Sequence, residues 1–124
     1  MAKLFFDTNC FVHLYTKRAP FPFPLEKLEN YDLYVSPLSY HVLSYVEKVK
    51  IPNQELLKSL DKFYLTDLNE QILTRALGGP TNDLEDNIQL QSANEASCDY
   101  FLTLDKKLLK MKSFGKTEIV NSLK

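Results

Sequence analysis

Short apolar runs alternate along the chain with longer stretches in which apolar side chains recur every three or four positions. This is the pattern of buried strands joined by covering helices. It predicts strands near Lys3–Phe6, Leu33–Val35, Phe63–Thr66, Tyr100–Leu104 and Thr117–Val120. Helices are expected near Asn9–Tyr15, Leu38–Lys50, Gln54–Lys62, Leu68–Leu77, Leu84–Ser97 and Lys106–Lys110. The expected fold class is therefore α/β, a parallel β-sheet with helices on both faces in three layers, forming a single domain over residues 1–124.

Local signals support these elements. Ser36 followed by Pro37 is an N-cap and first-turn pair, Asp67 and Asp83 are placed to cap helices, and Gly78-Gly79-Pro80 ends one. The proline-rich segment from Arg18 to Pro24 is expected to run extended, with Phe21 and Phe23 docked on the body rather than exposed as a contact surface.

Composition narrows the class. The 124 residues allow one domain of ordinary size, and 44% hydrophobic with 25% charged residues exclude disorder for most of the chain. The net charge of −1 hides an asymmetry: from Lys106 onward there are six Lys and one acid, Glu118. An acidic body with a basic tail suits contact with a polyanion on one face, although a solvated lysine helix has the same composition. Cys10 and Cys98 belong to no zinc-type cluster and read as free thiols. Asp7 interrupts the first apolar run and no stretch is long enough to span a membrane, so a cytoplasmic protein is expected.

The chemistry is expected at one edge. In an open parallel sheet, ligands bind beyond the carboxyl ends of the strands. The residues there are Asp7, Ser36, Thr66 with Asp67, and Thr103 with Asp105. Capping of the next helix accounts for each of these singly. Asp86 is different: helical spacing places it on one stripe with Leu90, Ala93 and Ser97, at the end of a face that should pack inward. Either a cation or strong hydrogen bonds must offset the burial of such a carboxylate, or it remains partly exposed in the first turn. Converging carboxylates with no base among them call for a divalent metal, and all-oxygen ligation points to Mg²⁺ or Mn²⁺ acting on a phosphate ester.

Three motifs then stand in order: Phe6-Asp7-Thr8-Asn9, Glu85-Asp86-Asn87-Ile88, and Asp99-Tyr100-Phe101-Leu102-Thr103-Leu104-Asp105. With them the chain resembles the PIN-domain family, the nuclease fold of many toxin–antitoxin toxins, over nearly its whole length. The resemblance implies a metal-dependent endoribonuclease in which Asp7, Asp86 and Asp105 are the catalytic residues and hold Mg²⁺ or Mn²⁺. It implies that Asn9 and Thr103 position those ligands and that Asp99 is structural. It also implies RNA as substrate, an antitoxin partner and a capacity to form homodimers; Phe21, Phe23 and the tyrosines of the Leu38 helix have two readings, an apolar contact for such a dimer and ordinary core.

One departure from the family pattern is visible. A fourth acid is usual about six residues beyond the strand-end Ser, where this chain has Val42. A wheel of that helix puts Leu38, Val42, Tyr45, Val46 and Val49 on the inward face and turns Glu47 to solvent. His41 borders the apolar face and has two readings, a substitute ligand or phosphate contact and a hydrogen-bonded structural residue. The missing acid also admits a catalytically weak or inactive module that binds RNA or a protein. A dehalogenase-like phosphatase is disfavoured because Asn9 stands where its proton donor would be, and no Gly-rich phosphate loop is present. Lys106, Lys107 and Lys110 follow Asp105 and are expected at the rim of the site as RNA phosphate contacts.

Overall fold

The computed structural model describes residues 1–16 and 19–124. Arg18, the first residue of the proline-rich segment, lies outside the described residues. Six strands form one sheet: β1 (Ala2–Phe6), β2 (Tyr31–Val35), β3 (Tyr64–Leu65), β4 (Tyr100–Leu102), β5 (Ser113–Phe114) and β6 (Thr117–Val120). Their order is β3-β2-β1-β4-β6-β5, parallel throughout except for the terminal hairpin of β5 with β6. The helices are α1 (Thr8–Tyr15), α2 (Pro37–Val46), α3 (Gln54–Ser59), α4 (Glu70–Leu77), α5 (Leu84–Glu95) and α6 (Lys106–Met111), with a 3₁₀ turn at Leu25–Asn30.

Alternation along β1 produces the three layers. Leu4 and Phe6 face a core built with Cys10 and Phe11 of α1 and Leu43 of α2. Phe5 faces the opposite side, where Leu90 and Ala93 of α5 and Leu108 of α6 pack with Phe101. A smaller cluster, Ile72, Ala76 and Ile88 with Leu38, seals α4 to α5. As expected, Phe21 and Phe23 are docked: Phe21 stacks on Phe6 at 6.1 Å between ring centroids, and Phe23 is buried.

Several boundaries differ from the sequence reading, each for a local reason. Helix α2 stops at Val46, with Glu47 as its C-cap and Lys48 at φ 51°, so the expected last turn to Lys50 does not form. Beyond Ser59, α3 tightens into i to i−3 hydrogen bonds through Lys62. Strand β3 is reduced to Tyr64 and Leu65. Asn69, not Asp67, caps α4, its side chain accepting from the Ile72 N–H at 3.0 Å. Ser36 and Asp83 do cap α2 and α5.

The inward face of α2 also differs. Ser39 and Leu43 are buried, while Tyr45 is 82% exposed and Val46 also lies outward. Helix α1 dictates this: Thr8 Oγ1 and Ser39 Oγ share a hydrogen bond at 2.9 Å and Phe11 packs on Tyr40, so apolarity did not mark the packed stripe. Glu47 is correspondingly not a freely solvated residue; it is half-buried, and its Oε1 accepts from Thr16 Oγ1 at 2.7 Å.

Candidate functional site

The carboxyl edge of the sheet carries the site because each central strand ends in a polar residue that turns into a helix. Asp7 follows β1 and is 4% exposed. Its backbone N–H donates to Leu102 O at 3.0 Å, which extends the β1–β4 ladder by one rung and holds Asp7 beside the end of β4. Its Oδ1 accepts from the Thr8 N–H at 2.8 Å and its Oδ2 accepts from Thr103 Oγ1 at 2.7 Å. Thr103 is fully buried, and the same hydroxyl accepts from the Asp105 N–H at 3.0 Å. Asp105 begins α6, its Oδ1 accepting from the Lys107 N–H at 2.8 Å.

Asp86 comes from a different element. It lies in the first turn of α5, half-buried, with Leu90 and Ala93 buried along the same stripe. Ser97, the predicted end of that stripe, lies past the helix at φ 58° and is exposed. Asp86, Asp105 and Lys107 line one pocket of about 500 Å³, which Thr81, Asp83 and Met111 complete.

Electrostatics tie the three acids together. Burial pushes the Asp7 carboxyl up to about 7, and the charges of Asp86 and Asp105 add to this, while the hydrogen bonds from Thr103 and the Thr8 N–H oppose it. Asp86 is raised to about 6, first by burial and then by Asp83, Asp105 and Glu85, with Lys107 acting the other way. These carboxylates therefore lie within electrostatic reach of one another, with Lys107 as the cation acting on Asp86 among the described residues. Among the described residues, no group of three or more His, Cys, Asp or Glu side chains is placed to hold one metal ion. The acids feel each other's charge without closing into a ready-made ligand cage.

Compared with known proteins, the chain matches no family model and no curated protein. Solved structures do match it. FitAcB from Neisseria gonorrhoeae is 17% identical, with 95% of this chain and 96% of that chain covered and a TM-score of 0.52. FitAB bound to an IR36 DNA fragment is 15% identical, with coverage of 94% and 93% and a TM-score of 0.51. The fold is PIN-like.

Within this PIN-like fold, the predicted residues separate into two groups. Asp7, Thr103, Asp105 and Asp86 come together as described, with Lys107 beside them. Asn9 is exposed and lines a second pocket, with Asp105 on its other wall. Asp99 is structural, its Oδ2 accepting from the Lys3 N–H at 2.8 Å. His41 is instead exposed on an apolar cavity of about 490 Å³ formed with Tyr40, Leu57, Leu60 and Leu65, which shares no residue with the pocket of Asp86 and Asp105. Lys106 and Lys110 are exposed on α6 but line neither of the two pockets that Asp105 borders.

Sequence reasoning missed His13. It lies on α1 next to Asn9 and Asp105 in the second pocket. Its spacing from Asn9, i to i+4 on a helix, was the available signal. Cys10 and Cys98 are free and buried, which raises both thiols, Cys98 to about 12. No helix among the described residues is long and apolar enough to cross a membrane.

Proposed function

We propose that the chain is a metal-dependent endoribonuclease that hydrolyses RNA phosphodiester bonds, acting as the toxin of a toxin–antitoxin pair. The observation that carries this reading is the buried Asp7 carboxyl, raised to about 7, which Thr103 holds at the sheet edge within the electrostatic reach of Asp86 and Asp105. Carboxylates kept together at such a cost are suited to a hard divalent cation, and oxygen donors without sulfur favour Mg²⁺ or Mn²⁺. Asp7, Asp86 and Asp105 would hold it. When bound, the ion supplies Lewis acidity toward a phosphate ester and toward water.

The chain's own residues do the rest. Thr103 fixes one oxygen of Asp7 and, through the Asp105 N–H, the start of α6, so the two acids are oriented by one hydroxyl. Burial of Asp7 and Thr103 keeps bulk water from competing for these bonds. Lys107 lines the pocket of Asp86 and Asp105 and supplies a cation for an RNA phosphate. The exposed apolar side chains Tyr45, Val46, Ile51, Leu57, Tyr64 and Leu65 offer a surface for an antitoxin or a second copy.

The test is cleavage of a structured RNA pool with Mg²⁺, Mn²⁺ or EDTA, beside Asp7→Asn and Asp86→Asn. Cleavage that requires metal and is lost in both variants is the expected result. A second reading, an inactive PIN-like module that binds RNA or a protein, is favoured by Val42 in place of an acid. An inert wild type that still binds RNA would establish it and overturn the nuclease.

A further inference from the structure

Asp105 borders two pockets. Toward α5 lies the one with Asp86 and Lys107; toward α1 lies another of about 280 Å³, lined by Asn9, Val12, His13, Leu104 and Asp105. Among the described residues its lining has no lysine and no acid but Asp105, and it combines the hydrogen-bonding side chains of Asn9 and His13 with two apolar ones. Its volume is near the lower end of small-molecule sites, about 300 Å³, which suits one monomer unit of a chain-like substrate.

His13 gives the pocket its chemistry. Its Nδ1 is buried and has no hydrogen-bond partner among the described residues. Placing the proton there would bury an unpaired N–H donor, whereas a lone pair in the same position is less costly. The Nε2 position is therefore the one that carries a proton, leaving an N–H donor for a phosphate oxygen or a ribose hydroxyl. Asn9, one helical turn earlier and exposed, adds an amide donor and acceptor, and Val12 and Leu104 give an apolar wall for a sugar or base.

We propose that the pocket between α1 and the turn after β4 is a nucleotide subsite, in which His13 and Asn9 hold the RNA unit next to the one whose phosphate meets the acids. The strand then crosses Asp105 from the Lys107 pocket to the His13 pocket. This rests on the ribonuclease reading for its substrate, but it is tested by binding rather than turnover.

The experiment measures fluorescence anisotropy of a short mixed-sequence single-stranded RNA with the full chain in EDTA, comparing wild type, His13→Ala and His13→Gln. Melting temperatures are recorded for all three, and cleavage by the wild type is assayed separately with Mg²⁺ and Mn²⁺. His13→Ala should bind about tenfold more weakly, the loss of a single hydrogen bond, at an unchanged melting temperature. His13→Gln, which restores an N–H donor, should recover most of the affinity. A His13→Ala chain that is folded and binds as tightly as wild type overturns the subsite, whether or not the wild type cleaves. A wild type that binds with this His13 dependence but cleaves with neither metal overturns the nuclease and leaves the subsite standing. A wild type that does not bind RNA overturns both.

Discussion

Thr103 Oγ1 donates to Asp7 Oδ2 at 2.7 Å although 96 positions separate the two residues in the chain. The pairing follows from β1 and β4 lying side by side in register, Phe6 against Leu102, so that the next residue of each strand emerges at the same edge. The hydroxyl is fully buried and opposes the upward push that burial exerts on the Asp7 carboxyl.

Removing that donor has a readable consequence. In Thr103→Val the Asp7 carboxyl should titrate higher than in wild type, because the largest influence opposing its desolvation is lost. Carboxyl carbon chemical shifts followed against pH would measure it, and Thr103→Ser should restore the wild-type midpoint. An unchanged Asp7 midpoint in the Val variant would refute the coupling.

Asp7 also makes stability depend on pH with a definite sign. Its carboxyl rises from 3.8 to about 7 on folding, so the folded state prefers the protonated form. This contribution is fully present below about pH 4 and is lost as pH rises through about 7. Asp7→Asn keeps an acceptor for the Thr8 N–H without the charge, and should be more stable than wild type at pH 8 by on the order of 2 to 4 kcal/mol. The gap should shrink toward pH 4, and denaturant melts of both chains without metal at the two pH values test it.

The two lysines after Asp105 should not contribute equally. Lys107 lines the pocket and acts on Asp86, while Lys106 is exposed outside it. Lys107→Glu should weaken RNA binding and lower the slope of log affinity against log salt by about one to two contacts' worth, with Lys106→Glu having the smaller effect. Equal slopes for wild type and Lys107→Glu would remove Lys107 from the interface.

Gly115 tests the terminal hairpin. It sits at φ +60° in the turn between Phe114 and Thr117, and an added Cβ would clash with the Asn94 side-chain amide. Gly115→Ala should cost about 1 to 3 kcal/mol through strain and contact together. Adding Asn94→Ala should recover only the contact part, since the backbone strain stays; thermal melts of the single and double variants separate the two.

Much of this molecule was legible in its sequence. Apolar runs marked β1 and β4 because those central strands are largely buried, and the polar residues just after each run marked the edge where Asp7 and Asp105 stand. The stripe through Asp86, Leu90 and Ala93 was readable because α5 packs on the sheet along it. The small β5 hairpin was not, since Ser113 and Phe114 gain strand geometry only by pairing with β6. Tertiary structure alone decided which face of α2 is inward, because Ser39 is buried by a hydrogen bond to Thr8 and periodicity counts only apolar side chains. It likewise decided that Thr103 joins Asp7 to Asp105 and that His13 faces the site while His41 does not, since each depends on neighbours distant in sequence. Local pattern fixes what a segment can bury; which segments meet is settled by packing.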